Sequence, residues 1–333
     1  MLTASQILSL KKPENLFPGN PAEARKHFHE LSRQWHPDVS EHDDCNTVYP
    51  YILKLYKEAV AKLSKGHWEL DHSYIFADDH GISHKIYFHK KVQFELGHVY
   101  IGSNHISYFI DPTHKDLFNN AVRMTKEFKY ASKNMEESIA HSFPKDGATL
   151  KTNDGLLFMQ IPKTRDVLSL RDVIGFYKGN IDPRHVAWIM NRLYNLCCYF
   201  TYSKITHNDI SLDNLYISPE YHTALLLGGW WYSKEVGTKL KQLPVRTFKL
   251  LPWEVQNDKQ ALPITDLEIV RAVGREMLVD HKSVPQPMLD WLNMPAAEEA
   301  RIEYKNWKQV LVECFGPRKF VVMDLDENTL YKT

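Results

Sequence analysis

The 333-residue chain lacks most of the features that would mark a polymer-binding or membrane-spanning protein. Lys plus Arg and Asp plus Glu each number 41, so the formal charge is zero. That removes the electrostatic footprint of a general nucleic-acid or anionic-membrane binder. No run approaches the about 18 apolar residues of a membrane span. Glycine is scarce, 14 residues in all, against an average of about 7%. With 43% hydrophobic and 25% charged residues the chain reads as globular rather than low-complexity. Cys45, Cys197, Cys198 and Cys314 show neither paired metal-ligand spacing nor the density of a disulfide scaffold, so a reducing compartment is expected. The N-terminus, MLTASQILSLKK, puts its apolar stretch before its positive charges, the reverse of a secretory signal. A soluble, cytoplasmic protein of about two domains is the expectation, with no membrane partner. Histidine is plentiful, at 17 residues, and adds positive charge below a pH of about 6.5.

The first 66 residues read as helices. Residues 3–10 form a short one. Asn20 is a plausible N-cap before Pro21, and Phe28, Leu31 and Trp35 recur at spacings of three and four. That helix must stop at His36, because a residue preceding proline is pushed out of the helical region. Residues 47–64 resume the pattern, and Gly66 is a reasonable stop. Two antiparallel helices joined by a loop that opens His36-Pro37-Asp38, with HFHELSRQWHPDVS as the second helix and loop, resemble the J-domain of DnaJ-type co-chaperones. The resemblance implies that His36, Pro37 and Asp38, with Arg25, Lys26 and Arg33, contact a DnaK-type chaperone and stimulate its ATPase. His29 and Glu30 depart from that family, which often has basic residues there. A simpler reading is that the tripeptide caps a turn, with Asp38 accepting backbone hydrogen bonds.

Residues 72–111 carry short β-rich runs, among them Tyr74-Ile75-Phe76 and Ile106–Ile110, with turns at Asp79-His80-Gly81 and Gly102-Ser103-Asn104. One antiparallel sheet is expected. Residues 115–141 look helical, and 149–151 with 156–160, split by Asn153-Asp154-Gly155, predict a hairpin.

Asp182 and Pro183 open a long helix with a wide apolar stripe that includes Cys197. It is followed by ITHNDISLDNLYIS, where His207, Asp209 and Asn214 have the His-x-Asp-x4-Asn spacing of a kinase catalytic loop. In such a loop one carboxylate meets the acceptor hydroxyl, and an amide five residues on folds back towards a metal beside the phosphates. Farther on, VRTFKLLPWEV resembles the segment closing a protein-kinase activation loop, with Pro252-Trp253-Glu254 for Ala-Pro-Glu. PITDLEIVRAVGREML resembles the helix after it, with Thr265 and Glu268 as a capping box and Asp266 as the buried aspartate beneath the catalytic loop. Together these motifs resemble the protein-kinase family over about residues 70–320. The resemblance implies an α+β chain: a helical J-like module over 1–66, then a bilobal domain with an N-lobe of sheet and helix over 67–162 and a helical C-lobe over 163–333. It also implies ATP and Mg as cofactors, Asp209 as base, Asn214 as metal ligand, Phe158 and Gln160 at the nucleotide pocket, and structural roles for Glu254 and Asp266. His-Asn-Asp in place of His-Arg-Asp is similar to choline-kinase and aminoglycoside-phosphotransferase relatives, which keeps a small-molecule acceptor open. It also removes the arginine that would pair with an activation-loop phosphate.

The pattern then fails where charge is needed. The strand Ala224–Leu227 runs into Gly228-Gly229-Trp230, so a glycine stands where the family places its metal-binding aspartate. The strand lysine falls on or near Ile110, no lysine lies between Lys91 and Lys115, and Gly97 is alone where a glycine-rich loop belongs. Losing an electrostatic stabiliser of this kind typically costs about 2.7–4 kcal/mol, so ordinary phosphoryl transfer is expected to be slow or absent. Two functions follow as expectations. One is a pseudokinase adaptor that links a DnaK-type chaperone to a protein client. The other is an atypical protein kinase or small-molecule phosphotransferase using Asp209 as base. For the last helices, Trp291, Trp307, Leu311 and Phe315 read as packing residues, and 320–333 as an edge strand and tail.

Overall fold

The computed structural model describes residues 2–40, 42–126, 128–317 and 321–332. It is mixed α+β, helical at the N-terminus and sheet-forming thereafter. The chain divides into two compact units, one of residues 1–113 and 148–160, the other of 114–147 and 161–333. No helix among the described residues is long and apolar enough to cross a membrane.

The first unit begins with α1 (Ala4–Ser9), α2 (Pro21–Trp35) and α3 (Cys45–Ser64). Asn20 caps α2 by accepting from the Ala22 and Glu23 amides, and His36 turns extended before Pro37, as the steric clash with proline requires. Ile7, Leu31, Trp35, Val48, Ile52 and Leu55 form its buried centre. Phe28 stacks on Tyr56 at 4.0 Å. Trp68 joins this cluster from β1 (Trp68–Leu70), which pairs with β2 (Ser73–Ala77), itself paired with β3 (Ser83–Tyr87).

Where one sheet was expected there are two. The second has the order β4-β5-β6-β8-β7, from β4 (Lys90–Phe94), β5 (Gly97–Ile101), β6 (His105–Ile110), β7 (Ala148–Lys151) and β8 (Leu157–Pro162). The chain changes sheet between neighbours: the Phe88 amide donates back to His72, while the His89 amide donates to Ile101. Tyr74, Phe76, Tyr100, Phe109 and Phe158 fill one aromatic core drawn from both sheets.

In the second unit the helix expected over 115–141 is two, α4 (Lys115–Lys126) and α5 (Lys133–Ile139). The Ser132 hydroxyl accepts from the Met135 amide and so starts α5 afresh. After β9 (Leu168–Ser169) and α6 (Leu170–Phe176) comes α7 (Pro183–Ser203), the longest helix of the described residues, capped by Asp182 on the Arg184 amide. Cys197 lies in its buried stripe, and burial pushes that thiol well up. β10 (Ile205–Thr206), β11 (Leu215–Ser218), β12 (Thr223–Leu226) and β13 (Lys234–Glu235) follow, with β11 between β9 and β12 and β10 paired to β13. Six helices of the described residues follow: α8 (Val245–Phe248), α9 (Trp253–Asp258), α10 (Pro263–Met277), α11 (Gln286–Asn293), α12 (Ala300–Phe315) and α13 (Glu327–Tyr331). Trp291 and Trp307 are buried among them, and Leu311 and Phe315 are half-buried. Arg271 and Glu303, both fully buried, form an ion pair with Nε–Oε1 at 2.7 Å.

Two local expectations need correcting. The Thr265/Glu268 capping box does not form, because α10 starts earlier, at Pro263, and Glu268 instead accepts from the Ala296 amide. Of residues 320–333, Phe320 and Thr333 lie outside the described residues. The rest hold no strand and end in α13, which Asp326 caps through the Thr329 amide and the Tyr331 hydroxyl pins by donating to Asp172.

Candidate functional site

The loop between β10 and β11 gathers the polar residues that the spacing singled out. Asp266, on the first turns of α10, is 1% exposed, and its two carboxylate oxygens accept from the His207 and Asn208 amides, both at 2.7 Å. Burial raises its pKa to about 6, against the pull of those two donors. The loop is thus held from below by a single side chain, which satisfies amides that would otherwise be buried without partners.

His207 is fully buried. Its Nδ1 accepts from the Asp209 amide at 3.2 Å, which leaves Nε2 to donate to the Gly228 carbonyl at 3.1 Å. This fixes one neutral tautomer, and burial lowers the ring's pKa to about 3. Asn208 adopts a left-handed backbone (φ 64°) and donates to the Thr206 hydroxyl and the Tyr232 carbonyl, while the Thr247 hydroxyl donates to its carbonyl. Asn208 Oδ1 is left without a hydrogen bond.

Asp209 and Asn214 come together. The Asn214 amide donates to the Asp209 carbonyl at 2.8 Å and to Oδ2 of its carboxylate at 2.9 Å. The other carboxylate oxygen carries the Arg246 guanidinium, from Nε at 3.1 Å and from Nη2. Arg246 also approaches Asp213 at 3.5 Å, and Arg171 holds Asp213 with two 2.9 Å bonds and Glu276 with a third. A ladder of alternating charge runs outward from the candidate base. No local signal in the sequence pointed to Arg246, which lies 37 residues from Asp209.

Gly229 closes the site from the other side. Its φ is +81°, and a Cβ there would fall 2.6 Å from the Asn214 amide nitrogen, 2.7 Å from His207 Cε1 and 2.8 Å from the Asp209 carbonyl. An aspartate at this position has no room in this arrangement. Neither glycine supplies a donor atom from a side chain, the Asn214 NH2 group donates to Asp209, and one Asp209 oxygen is engaged by Arg246. Among the described residues no group of three His, Cys, Asp or Glu side chains stands ready for a metal. The site lacks the carboxylate that the resemblance assigns to magnesium.

The remaining candidates sit elsewhere. Phe158 belongs to the aromatic core of the first unit, 4.9 Å from Phe76 and 5.0 Å from Phe109. Gln160 donates to the Ser107 hydroxyl at 3.2 Å, and Ile110 is fully buried in β6. Glu254 falls within α9, and its side chain lies outside the described residues. In the helical segment Arg25, Lys26, Arg33, Pro37 and Asp38 are exposed, while His36 is half-buried against Tyr49 at 4.7 Å. The turn there is capped the opposite way from the simple expectation: His36 Nδ1 accepts from the Asp38 amide at 3.2 Å, and the Asp38 carboxylate points to solvent, 84% exposed.

Comparison with known proteins leaves the site to be read on its own terms. No family model matches the chain, and no curated protein is significantly similar to it.

Proposed function

We propose that the chain is a pseudokinase adaptor: a J-like module over 1–66 joined to a kinase-like bilobal domain, with an N-lobe over 67–162 and a C-lobe over 163–333. The Asp209 carboxylate, shared between Arg246 and Asn214 beside a glycine too crowded to be aspartate, carries this reading. A base must be free to take a proton from its acceptor within hydrogen-bond reach. Here one oxygen is held by a guanidinium and the other by an amide, and the metal-bridging carboxylate that phosphoryl transfer needs is missing. The loop pinned by Asp266 and the ordered Asp209–Asn214 pair support a scaffold that keeps the architecture of such a site without its chemistry.

The exposed Arg25, Lys26 and Arg33, beside the accessible Pro37 and Asp38, support docking of a DnaK-type chaperone in the cytoplasm, with a protein client on the second module. The test is whether the intact chain stimulates the ATPase of such a chaperone and whether His36→Gln abolishes that. Stimulation that survives the substitution contradicts the J-like role.

A second reading, phosphoryl transfer to a protein or small-molecule hydroxyl, draws on the 2.9 Å contact between Asp209 and Asn214. ATP turnover that disappears in Asp209→Ala would favour it.

A further inference from the structure

A cleft of about 990 Å³ opens in the second unit between the N-terminal half of α7 and the C-terminal half of α12. None of the residues around Asp209 lines it, so it stands apart from the site above. We infer that it binds a small aromatic carboxylate.

Its walls set the chemistry. Trp188, Leu311 and Phe315 line it and remain half-exposed, apolar surface whose removal from water favours an apolar ligand. The Trp188 ring lies parallel to His222 at 4.9 Å, with 1° between the planes, so its orientation is fixed before any ligand arrives. Trp188 Nε1 donates to His185 at 3.3 Å, which holds the indole from a second side. The volume leaves room for a fused-ring body.

Charge selects an anion. Asp182 is the one acid among the lining residues, and Arg184 covers both of its oxygens. The Lys308 ammonium, 4.0 Å from the centre of the Tyr304 ring, lies at the cleft with no acid of the lining left to neutralise it. Asn180, Asn191 and Ser283 add polar groups to the wall. Their amide and hydroxyl groups can donate to a carboxylate, whereas a plain alkyl chain offers them no acceptor.

The probe is 2-naphthoate, titrated calorimetrically into the intact chain, with methyl 2-naphthoate and 2-naphthylmethylammonium as the uncharged and charge-reversed counterparts. One-site binding of the carboxylate is expected, at least about tenfold tighter than either counterpart. Lys308→Glu, and Leu311→Trp, which narrows the cleft from its half-exposed edge, should each weaken it by at least about tenfold. Both positions are at the surface, and thermal unfolding of each variant verifies its fold. Equal affinity for all three probes, no saturable binding, or binding untouched by Leu311→Trp would each overturn the inference. The titration contains no nucleotide, so its outcome leaves the reading of the Asp209 site unaffected.

Discussion

The Arg246 guanidinium rests on the Asp209 carboxylate, giving it two hydrogen bonds, one from Nε at 3.1 Å and one from Nη2. Asp209 is buried and Arg246 is 40% exposed, so the pair lies between a surface salt bridge of little worth and a fully buried one. A double-mutant cycle with Arg246→Gln and Asp209→Asn should return a coupling of about 1–2 kcal/mol in urea unfolding. Additive effects would mean that the two side chains do not interact in solution.

Gly229 should resist substitution. Gly229→Ala places a Cβ against Asn214, His207 and the Asp209 carbonyl in a left-handed backbone, at an expected cost of about 2–5 kcal/mol. Gly229→Asp should cost at least as much and create no magnesium-dependent ATP turnover. A Gly229→Asp variant as stable as the native chain, turning over ATP, would show that the site can accept the missing carboxylate.

The buried imidazole gives the second unit a defined response to acid. The folded-state pKa of His207, about 3, lies below its ordinary 6.5, so the unfolded chain takes up the proton first. Stability from this group is fully present above pH 6.5 and falls by about 1.4 kcal/mol per pH unit as pH drops towards 3. Asp266, raised from 3.8 to about 6, works in the opposite direction, its contribution growing as pH falls from 6 to 3.8. His207→Gln removes only the first effect. The variant should therefore gain on the native chain between pH 7 and pH 5, by about 2 kcal/mol in urea titrations. A difference independent of pH would contradict a neutral buried ring.

The Arg271–Glu303 pair tests the core rather than the site. Arg271 also donates to the Trp291 carbonyl and lies 3.9 Å over its ring. Glu303→Gln removes one partner from a fully buried pair and should cost about 3–5 kcal/mol by urea unfolding. A change below about 1 kcal/mol would mean that water reaches the pair.

How much of this could be read from the chain depended on distance along it. The α7 start was legible because Asp182 and Pro183 act within one turn, and α2 ended where Pro37 forces it. The gathering of His207, Asp209 and Asn214 followed from a spacing within one loop. Arg246 was not legible, since its contact with Asp209 is set by how a distant segment folds back. The crowding at Gly229 arises from three residues that only the folded chain brings together. The Thr265–Glu268 pattern misled because it was present in sequence while Pro263 had already started the helix. The break from one sheet to two rested on a single change of hydrogen-bond partner, between Phe88 and His89, that no periodicity encodes.

Under the proposed function, the Asp209 site does not take magnesium-ATP in the manner of a kinase. Thermal unfolding of the intact chain with ATP, with and without magnesium, tests it directly, since a ligand bound only by the native state stabilises by RT ln(1 + [L]/Kd). No magnesium-dependent rise in Tm is expected. A rise that requires magnesium and vanishes in Asp209→Ala would contradict it.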